Sequence, residues 1–298
     1  MQKDTYKLIS GGVDSYIMAR MFPGQNIFIN FGQPYWKEEL AAINKQGLPV
    51  CVVNISGDYS LSDGIFIPNR NLAMAALVSM LHNAKTIMIA GLRDDNCADK
   101  TSQEFERMSE ILSRYAEHRV EVISPFWSKS KGEIVYDYIK AFGKDGLQDT
   151  FSCYHPDTNG NPCGDCPACL RRTVALETNG VNSGVTLTER IIREYLKKIH
   201  LYDIDRQSRL LLYLQRKGGI EAVDIDGVLA EDFGDYADRK FLGQPRRKYK
   251  YRILYTARLE ADRMVTENWL ARHNIKYDAL LMNKAPYDIL IDDRAITK

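Results

Sequence analysis

The chain has 298 residues, 45% of them hydrophobic, with 40 Lys and Arg against 39 Asp and Glu and a formal net charge of +1. That length suits two compact cores, because single cores stop growing near this size, and near-neutrality gives no basic field that would indicate a nucleic-acid partner. No apolar run approaches a membrane-spanning helix, and the N-terminus lacks the basic, apolar and small-residue succession of a signal peptide. Four of the six cysteines fall within seventeen residues, which suits metal ligation in a reducing compartment better than a disulfide framework. A soluble, cytoplasmic protein is expected.

In chain order, apolar runs of strand length occur at residues 6–9, 26–30, 50–54, 86–90 and 120–123, and residues 71–82 and 103–115 between them carry Leu, Met, Ala and Ile at helical spacing. This alternation predicts an α/β fold: a doubly wound parallel sheet with helices on both faces. Residues 187–214 read as helix, with Ile191, Ile192, Tyr195, Leu196 and Ile199 along one side. Lys217-Gly218-Gly219 breaks the pattern. A shorter alternation follows, with strands at 220–223, 251–255, 279–281 and 289–291 and a helix at 261–273. The predicted organisation is a first domain at 1–180, a helical linker at 181–219 and a small Rossmann-like domain at 220–298. Cys51 lies in an apolar run and is expected in the core, as is Trp269. Tyr35, Trp36, Phe126 and Trp127 are candidates to stack a base, although packing is the commoner use of such rings.

Ser10-Gly11-Gly12-Val13-Asp14-Ser15 joins the first strand to the first helix. Small residues and backbone N–H groups at a helix N-terminus favour a phosphate anion through both donors and dipole. Ser10 and Ser15 add hydroxyls, and Asp14 is suited to hold Mg²⁺ bridging the phosphates. A Gly-Lys-Ser/Thr ending is missing, so this is not a Walker loop.

Cys153, Cys163, Cys166 and Cys169 supply the four thiolates of a tetrahedral structural Zn²⁺ site, with Gly160, Pro162, Gly164 and Pro167 as turn formers between them. An iron–sulfur cluster is the main rival, since thiolates suit both. His155 is expected near the metal without ligating it.

With these residues in this order, the chain over residues 1–180 resembles the 7-cyano-7-deazaguanine synthase branch of the PP-loop ATP pyrophosphatases, whose sheet is of the adenine nucleotide alpha-hydrolase-like type. The resemblance also rests on Phe31-Gly32-Gln33 with Glu39-Leu40, Ile67-Pro68-Asn69-Arg70-Asn71, Gly91, Trp127 with Lys131-Gly132-Glu133, and Ser152-Cys153-Tyr154. It implies that residues 10–15 bind ATP, that the four cysteines bind zinc, and that Arg70 and Lys131 lie near phosphates or substrate. It further implies adenylation of a carboxylate, 7-carboxy-7-deazaguanine, then reaction with ammonia to the amide and nitrile. The loop at 91–101 departs from the family: its Tyr-Pro-Asp-Cys-Arg run is absent. Asp94, Asp95, Asp99 and Lys100 there read a different acceptor or form a solvated charged loop.

A second signature begins at Asp224-Ile225-Asp226-Gly227, followed by Tyr255-Thr256-Ala257-Arg258, Asn283-Lys284 and Asp292-Asp293. A strand-end Asp is a nucleophile for phosphorus when a second carboxylate two residues on, on the same side of the strand, serves as acid and base. Thr256 and Lys284 would hold phosphate oxygens, and Asp224, Asp226, Asp292 and Asp293 would supply hard oxygens to Mg²⁺. Residues 220–298 resemble the haloacid-dehalogenase-like phosphatases, with Asp224 as nucleophile and Asp226 as general acid/base. The expected function is thus an ATP-dependent ligase of modified-purine metabolism fused to a phosphatase acting on a nucleotide. Its partners would be a deazapurine or nucleotide substrate and ammonia, and a homodimer is a further expectation. The alternatives are an adenylating enzyme that modifies a protein terminus, tRNA or DNA base, and a nucleotide-sensing regulator without turnover.

Overall fold

The computed structural model describes residues 4–55, 67–95 and 97–284. Strands β1 (Thr5–Leu8), β2 (Gln25–Asn30), β3 (Cys51–Asn54), β4 (Thr86–Ile89) and β5 (Glu121–Ile123) form a sheet in the order β3-β2-β1-β4-β5, every pairing parallel. Helices α1 (Val13–Met21), α2 (Trp36–Lys45), α3 (Arg70–His82), α4 (Ser102–Ala116) and α5 (Lys131–Phe142) connect or flank the strands. Side chains alternate across the sheet. In β2, Ile27 and Ile29 join a core with Val78, Ile87 and Phe105, whereas Phe28 joins one with Ile17, Ile43 and Tyr138. A strand covered on both faces reads as a continuous apolar run, which is why these strands are visible in the sequence.

Lys7 interrupts the apolar run of β1 and is nonetheless only 3% exposed. Its ammonium donates to the carbonyls of Ala19 (2.9 Å) and Phe22 (2.7 Å), closing the C-terminal end of α1. Cys51 departs from the sequence expectation. It is exposed, because β3 is the edge strand of the sheet. Strand order reverses beside β1, between the outward path to β3 and the return to β4, and the loops after β1 and β4 flank that reversal. In open α/β sheets the crevice at such a point is where ligands bind.

Beyond the sheet lie α6 (Pro167–Thr178), α7 (Glu189–Lys197), a 3₁₀ turn (Ile199–Leu201) and α8 (Ile204–Lys217). The helix read at 187–214 is therefore broken. Asp203 accepts the N–H of Asp205 through its carboxylate at 3.0 Å, the geometry that starts a new helix, and the same carboxylate accepts from Arg93. The chain divides into two compact units, Met1–Ile192 with Asp203–Leu210, and Arg193–Tyr202 with Leu211–Lys298. The segment expected as a linker is shared between them.

The second unit holds β6 (Ile220–Val223), β7 (Tyr251–Tyr255) and β8 (Ala279–Leu281), parallel and in that order, with α9 (Arg263–Arg272). Trp269 is 1% exposed in a core with Val223, Ile225, Leu254 and Leu280, and its indole N–H donates to the Arg239 carbonyl. A short flap follows β6, closed by Glu231 N–H to the Lys240 carbonyl and Leu242 N–H to the Leu229 carbonyl. The strand read at 289–291 lies outside the described residues.

Candidate functional site

The loop at residues 10–15 leaves β1 at the strand reversal. Gly11 has φ +69°, and a Cβ there would lie 2.6 Å from the Glu39 carbonyl oxygen, so no larger residue fits. Its own carbonyl accepts from Phe151 N–H (2.9 Å) and Gln46 Nε2 (3.0 Å). Phe151 is held in turn through its neighbours. Buried Arg172 donates to Thr150 Oγ1, the Gln148 carbonyl and the Ser183 carbonyl, each at 2.9 Å, and burial pushes its pKa down to about 10. Gly12 caps α1 in extended conformation without a side-chain acceptor, leaving the first-turn N–H groups to an anion. Ser15 Oγ accepts from Ser10 N–H and donates to the Gly12 carbonyl, both at 3.1 Å, bracing the loop from inside.

Around this loop the fold gathers three carboxylates and three cations. Lys131, the first residue of α5, places its ammonium 2.5 Å from each Asp14 oxygen. A capping box of Ser130 and Glu133 fixes that helix start, and Lys131 N–H bonds Asp94. Arg171 spans Asp94 (3.2 Å) and Asp95 (2.9 Å), and Lys100 pairs with Asp95 at 2.9 Å. Both aspartate side chains are only 4% exposed, so the solvated-loop reading of Asp94 and Asp95 is corrected. Burial alone would raise the Asp95 carboxyl, but Lys100, Arg171 and Lys131 outweigh it and hold it well below the usual range. Asp99 accepts instead from buried Asn71. Sequence reasoning quoted Arg171 only as the end of the cysteine run. Its place two residues after Cys169 was the available signal, since a metal knot fixes the residues next to it.

A second group lies on α2 and α3. Arg70 faces Tyr35, Glu39 and Tyr154, the two tyrosine rings lie 5.8 Å apart, and Gln33 Nε2 donates to Glu39 Oε2 at 2.9 Å. Trp127 and Phe126 serve packing: Trp127 lies edge-on to Phe105 and against Gly91, and Phe126 lies against Phe22. Burial pushes the Glu39 carboxyl up from 4.5 to about 7, against the opposing pull of Gln33 and Arg70. Between those pH values the folded protein holds a proton that the unfolded chain has lost, so stability falls as pH rises through the window. Glu39→Gln is expected to flatten this dependence and to raise the melting temperature at pH 8 more than at pH 5, read by thermal unfolding across pH. A variant curve parallel to the parent's would contradict the assignment.

The sulfur atoms of Cys153, Cys163, Cys166 and Cys169 lie within 4.8 Å of one another. Cys163 is 3.5 Å from Cys153 and 4.0 Å from Cys169, close to the ~3.8 Å that tetrahedral Zn–S bonds of about 2.3 Å impose. Backbone N–H groups of His155, Cys163, Asp165 and Cys169 point at these sulfurs, as thiolates require. All six cysteines are free, and four thiolates this close need a cation between them. The residues fit zinc. His155 contributes its backbone N–H to Cys153. Purified protein is expected to carry about one zinc per chain, and Cys166→Ser to lose it and lower the melting temperature. Elemental analysis decides, and iron with sulfide instead of zinc would favour the cluster.

In the second unit, the ends of β6, β7 and β8 bring Asp224, Asp226, Thr256 and Lys284 together. Lys284 pairs with Asp224, whose other oxygen accepts Ile225 N–H. Asp226 is held by Arg258 through Nε (2.9 Å) and Nη2 (2.6 Å) and by Arg239 (2.6 Å). Thr256 is fully buried and accepts Arg258 N–H. Sequence reasoning missed the two arginines as partners of Asp226. Asp292 and Asp293 lie outside the described residues.

The fold and loop form a parallel α/β sheet consistent with a PP-loop domain. Residues 54–180 match the family model described as Queuosine biosynthesis protein QueC. The 7-cyano-7-deazaguanine synthase of Chlorobaculum tepidum is 24% identical over 217 residues, covering 60% of this chain and 93% of that protein. The enzyme of that name from Marinomonas sp. is 28% identical over 221 residues, covering 60% and 96%. The chain is thus similar to these synthases over about 60% of its length. The matched family residues end before β6, and the match does not extend to the second unit's motifs. Among the described residues, no helix is long and apolar enough to cross a membrane.

Proposed function

We propose that the first unit is an ATP-dependent synthase that adenylates the carboxylate of 7-carboxy-7-deazaguanine and converts it with ammonia, through the amide, to the nitrile. The observation that carries this reading is the Asp14–Lys131 pair at the open N-terminus of α1, beside the strand reversal, in a chain similar to such synthases. The triphosphate lies on the N–H groups of α1, and Lys131 exchanges Asp14 for a phosphate oxygen. Asp14, once released, would offer a hard oxygen to Mg²⁺, which when bound would neutralise phosphate charge. The substrate carboxylate attacks the α-phosphorus: an O–P bond forms, and the bond to the β-phosphate breaks as pyrophosphate takes the electron pair. Ammonia then attacks the acyl carbon, loses a proton, and expels AMP. A second ATP activates the amide oxygen in the same way with loss of pyrophosphate; AMP then leaves carrying that oxygen while the nitrogen gives up its two protons, leaving the nitrile. Arg70 would hold an acceptor anion, and the half-buried Tyr154 would stack on a planar ring.

Pyrophosphate release that requires 7-carboxy-7-deazaguanine is the expected result. Asp14→Ala and Lys131→Met should each lower kcat/KM by about 100-fold or more, as loss of a phosphate-charge partner does. No release with this acceptor would defeat the substrate assignment. The buried Asp94–Asp95–Arg171–Lys100 network, standing where the family's Tyr-Pro-Asp-Cys-Arg run is absent, favours a second reading in which the same chemistry acts on a different acceptor, such as a protein terminus or a nucleic-acid base. In that case pyrophosphate appears only when that acceptor is supplied.

For the second unit we propose phosphate-ester hydrolysis. Asp224 attacks phosphorus, the ester oxygen leaves with a proton, and water hydrolyses the aspartyl phosphate. Lys284 trades Asp224 for a phosphate oxygen. Asp226 is held by the largely buried Arg239 and, through both oxygens, by the fully buried Arg258, so proton transfer by it requires these pairs to open. The described carboxylates are each matched by a cation, so the expected Mg²⁺ depends on Asp292 and Asp293, outside the described residues. Asp224→Asn should abolish release of phosphate from nucleoside monophosphates and leave pyrophosphate release by the first unit intact. Unchanged phosphatase turnover in that variant would remove Asp224 as nucleophile.

A further inference from the structure

The two strand-end carboxylates of the second unit are held in different ways. The Asp224 side chain is 32% exposed and meets the Lys284 ammonium, with its other oxygen on the Ile225 N–H. The Asp226 side chain is 17% exposed and accepts from two guanidiniums. Arg258 reaches both of its oxygens, at 2.9 and 2.6 Å, and Arg239 adds a contact of 2.6 Å to Oδ1. Both arginines are themselves fixed. Arg258 donates Nη1 to buried Thr266 at 3.2 Å, and the Tyr236 ring covers it at 4.3 Å. Arg239 lies 4.5 Å from the same ring and donates Nε to the Gly234 carbonyl. Its own carbonyl accepts the indole N–H of buried Trp269. The flap that carries Tyr236 and Arg239 is closed by the backbone bonds of Glu231 to Lys240 and Leu242 to Leu229. Freeing Asp226 therefore means moving the flap and a core arginine together.

A carboxylate with both oxygens committed to guanidinium N–H groups has none free to carry a proton to a leaving group. An alkyl phosphate ester needs that proton, because an alkoxide is a strong base and leaves poorly. A phosphoanhydride does not need it, because the group that departs is phosphate, a weak base. The second carboxylate is thus withheld from one class of substrate and is superfluous for the other.

We infer that the second unit takes phosphoanhydrides, of which inorganic pyrophosphate is the simplest, in preference to phosphate esters. The inference rests on the reading of Asp224 as nucleophile and narrows the substrate class of that site. Asp224 attacks one phosphorus: an O–P bond forms, the bond to the bridging oxygen breaks, and the second phosphate leaves with the electron pair and without a proton. Water then attacks the aspartyl phosphate. Its oxygen bonds to phosphorus, the bond to Asp224 breaks with the pair returning to the carboxylate, and a proton of the water passes to solvent. The leaving group in this step is again a weak base. One pyrophosphate and one water give two phosphates. Esters are turned over only as often as the flap releases Asp226. The reactions that supply such a substrate are nucleotidyl transfers that release pyrophosphate, the class proposed for the first unit, and its hydrolysis removes the product that would drive adenylation backward.

The test compares substrates on the full chain in buffer containing Mg²⁺, with phosphate release as the readout, so that the folding of a variant does not enter the main comparison. The substrates are inorganic pyrophosphate, a nucleoside monophosphate, para-nitrophenyl phosphate and phenyl phosphate. kcat/KM for pyrophosphate should exceed that for the nucleoside monophosphate by at least about 100-fold, the size of a general acid's contribution that the ester forgoes. para-Nitrophenyl phosphate should exceed phenyl phosphate by at least about tenfold, because the two differ in leaving-group acidity and no acid levels that difference. Asp224→Asn should abolish turnover of every substrate. Equal rates on pyrophosphate and the monophosphate, or on the two aryl esters, with dependence on Asp224 intact, would overturn the inference and leave Asp224 as nucleophile. Turnover that survives Asp224→Asn, or no turnover of any substrate, would remove the nucleophile and the inference with it.

Discussion

At Gly11 the backbone passes so close to the carbonyl of Glu39 that a single methyl group would collide with it. That approach fixes the loop against α2, and the loop's own carbonyl is pinned by Phe151 and Gln46. With the loop set, α1 begins at Val13 with open N–H groups, and Asp14 is aimed at Lys131. The pin extends further: Arg172 gathers the carbonyls of residues 148 and 183. It lies three residues after Cys169, so the cysteine knot and the glycine loop belong to one braced assembly.

The charges around the loop obey the same economy. A buried carboxylate is costly unless it is paired and hydrogen-bonded, and Asp94 and Asp95 are both. Arg171 and Lys100 are thereby held in place beside Asp14 rather than left to solvent. An incoming polyphosphate adds negative charge to a set already balanced, so binding must proceed by exchange of partners. Glu39, which lacks an ion pair as close as these, takes the other route open to a buried acid and favours its proton.

The second unit repeats the logic on a smaller sheet. Its two strand-end aspartates are matched by Lys284 on one side and by Arg258 and Arg239 on the other. Arg258 is also enclosed by Tyr236 and Trp269, which makes that pair part of the core as much as of the site.

Strand positions, the glycine loop and the four cysteines were legible in the sequence because each depends on local pattern: two-sided burial gives apolar runs, a positive φ selects glycine, and a tetrahedral metal fixes cysteine spacing. The motif at 224–227 was legible for the same reason. What the sequence did not contain was partnership across long separations. Cys51 looked like core because periodicity cannot tell an edge strand from a central one. The break at Asp203 escaped notice because helical periodicity persists on both sides of it. Asp94 and Asp95 read equally well as solvated or buried until α6 brought Arg171 to them, and Asp226 looked like a free acid until Arg258 and Arg239 closed on it. Composition and spacing specify which groups a chain owns. Only the tertiary fold decides which opposite charge each one meets, since that energy depends on distance in space and on exclusion of water rather than on distance along the chain.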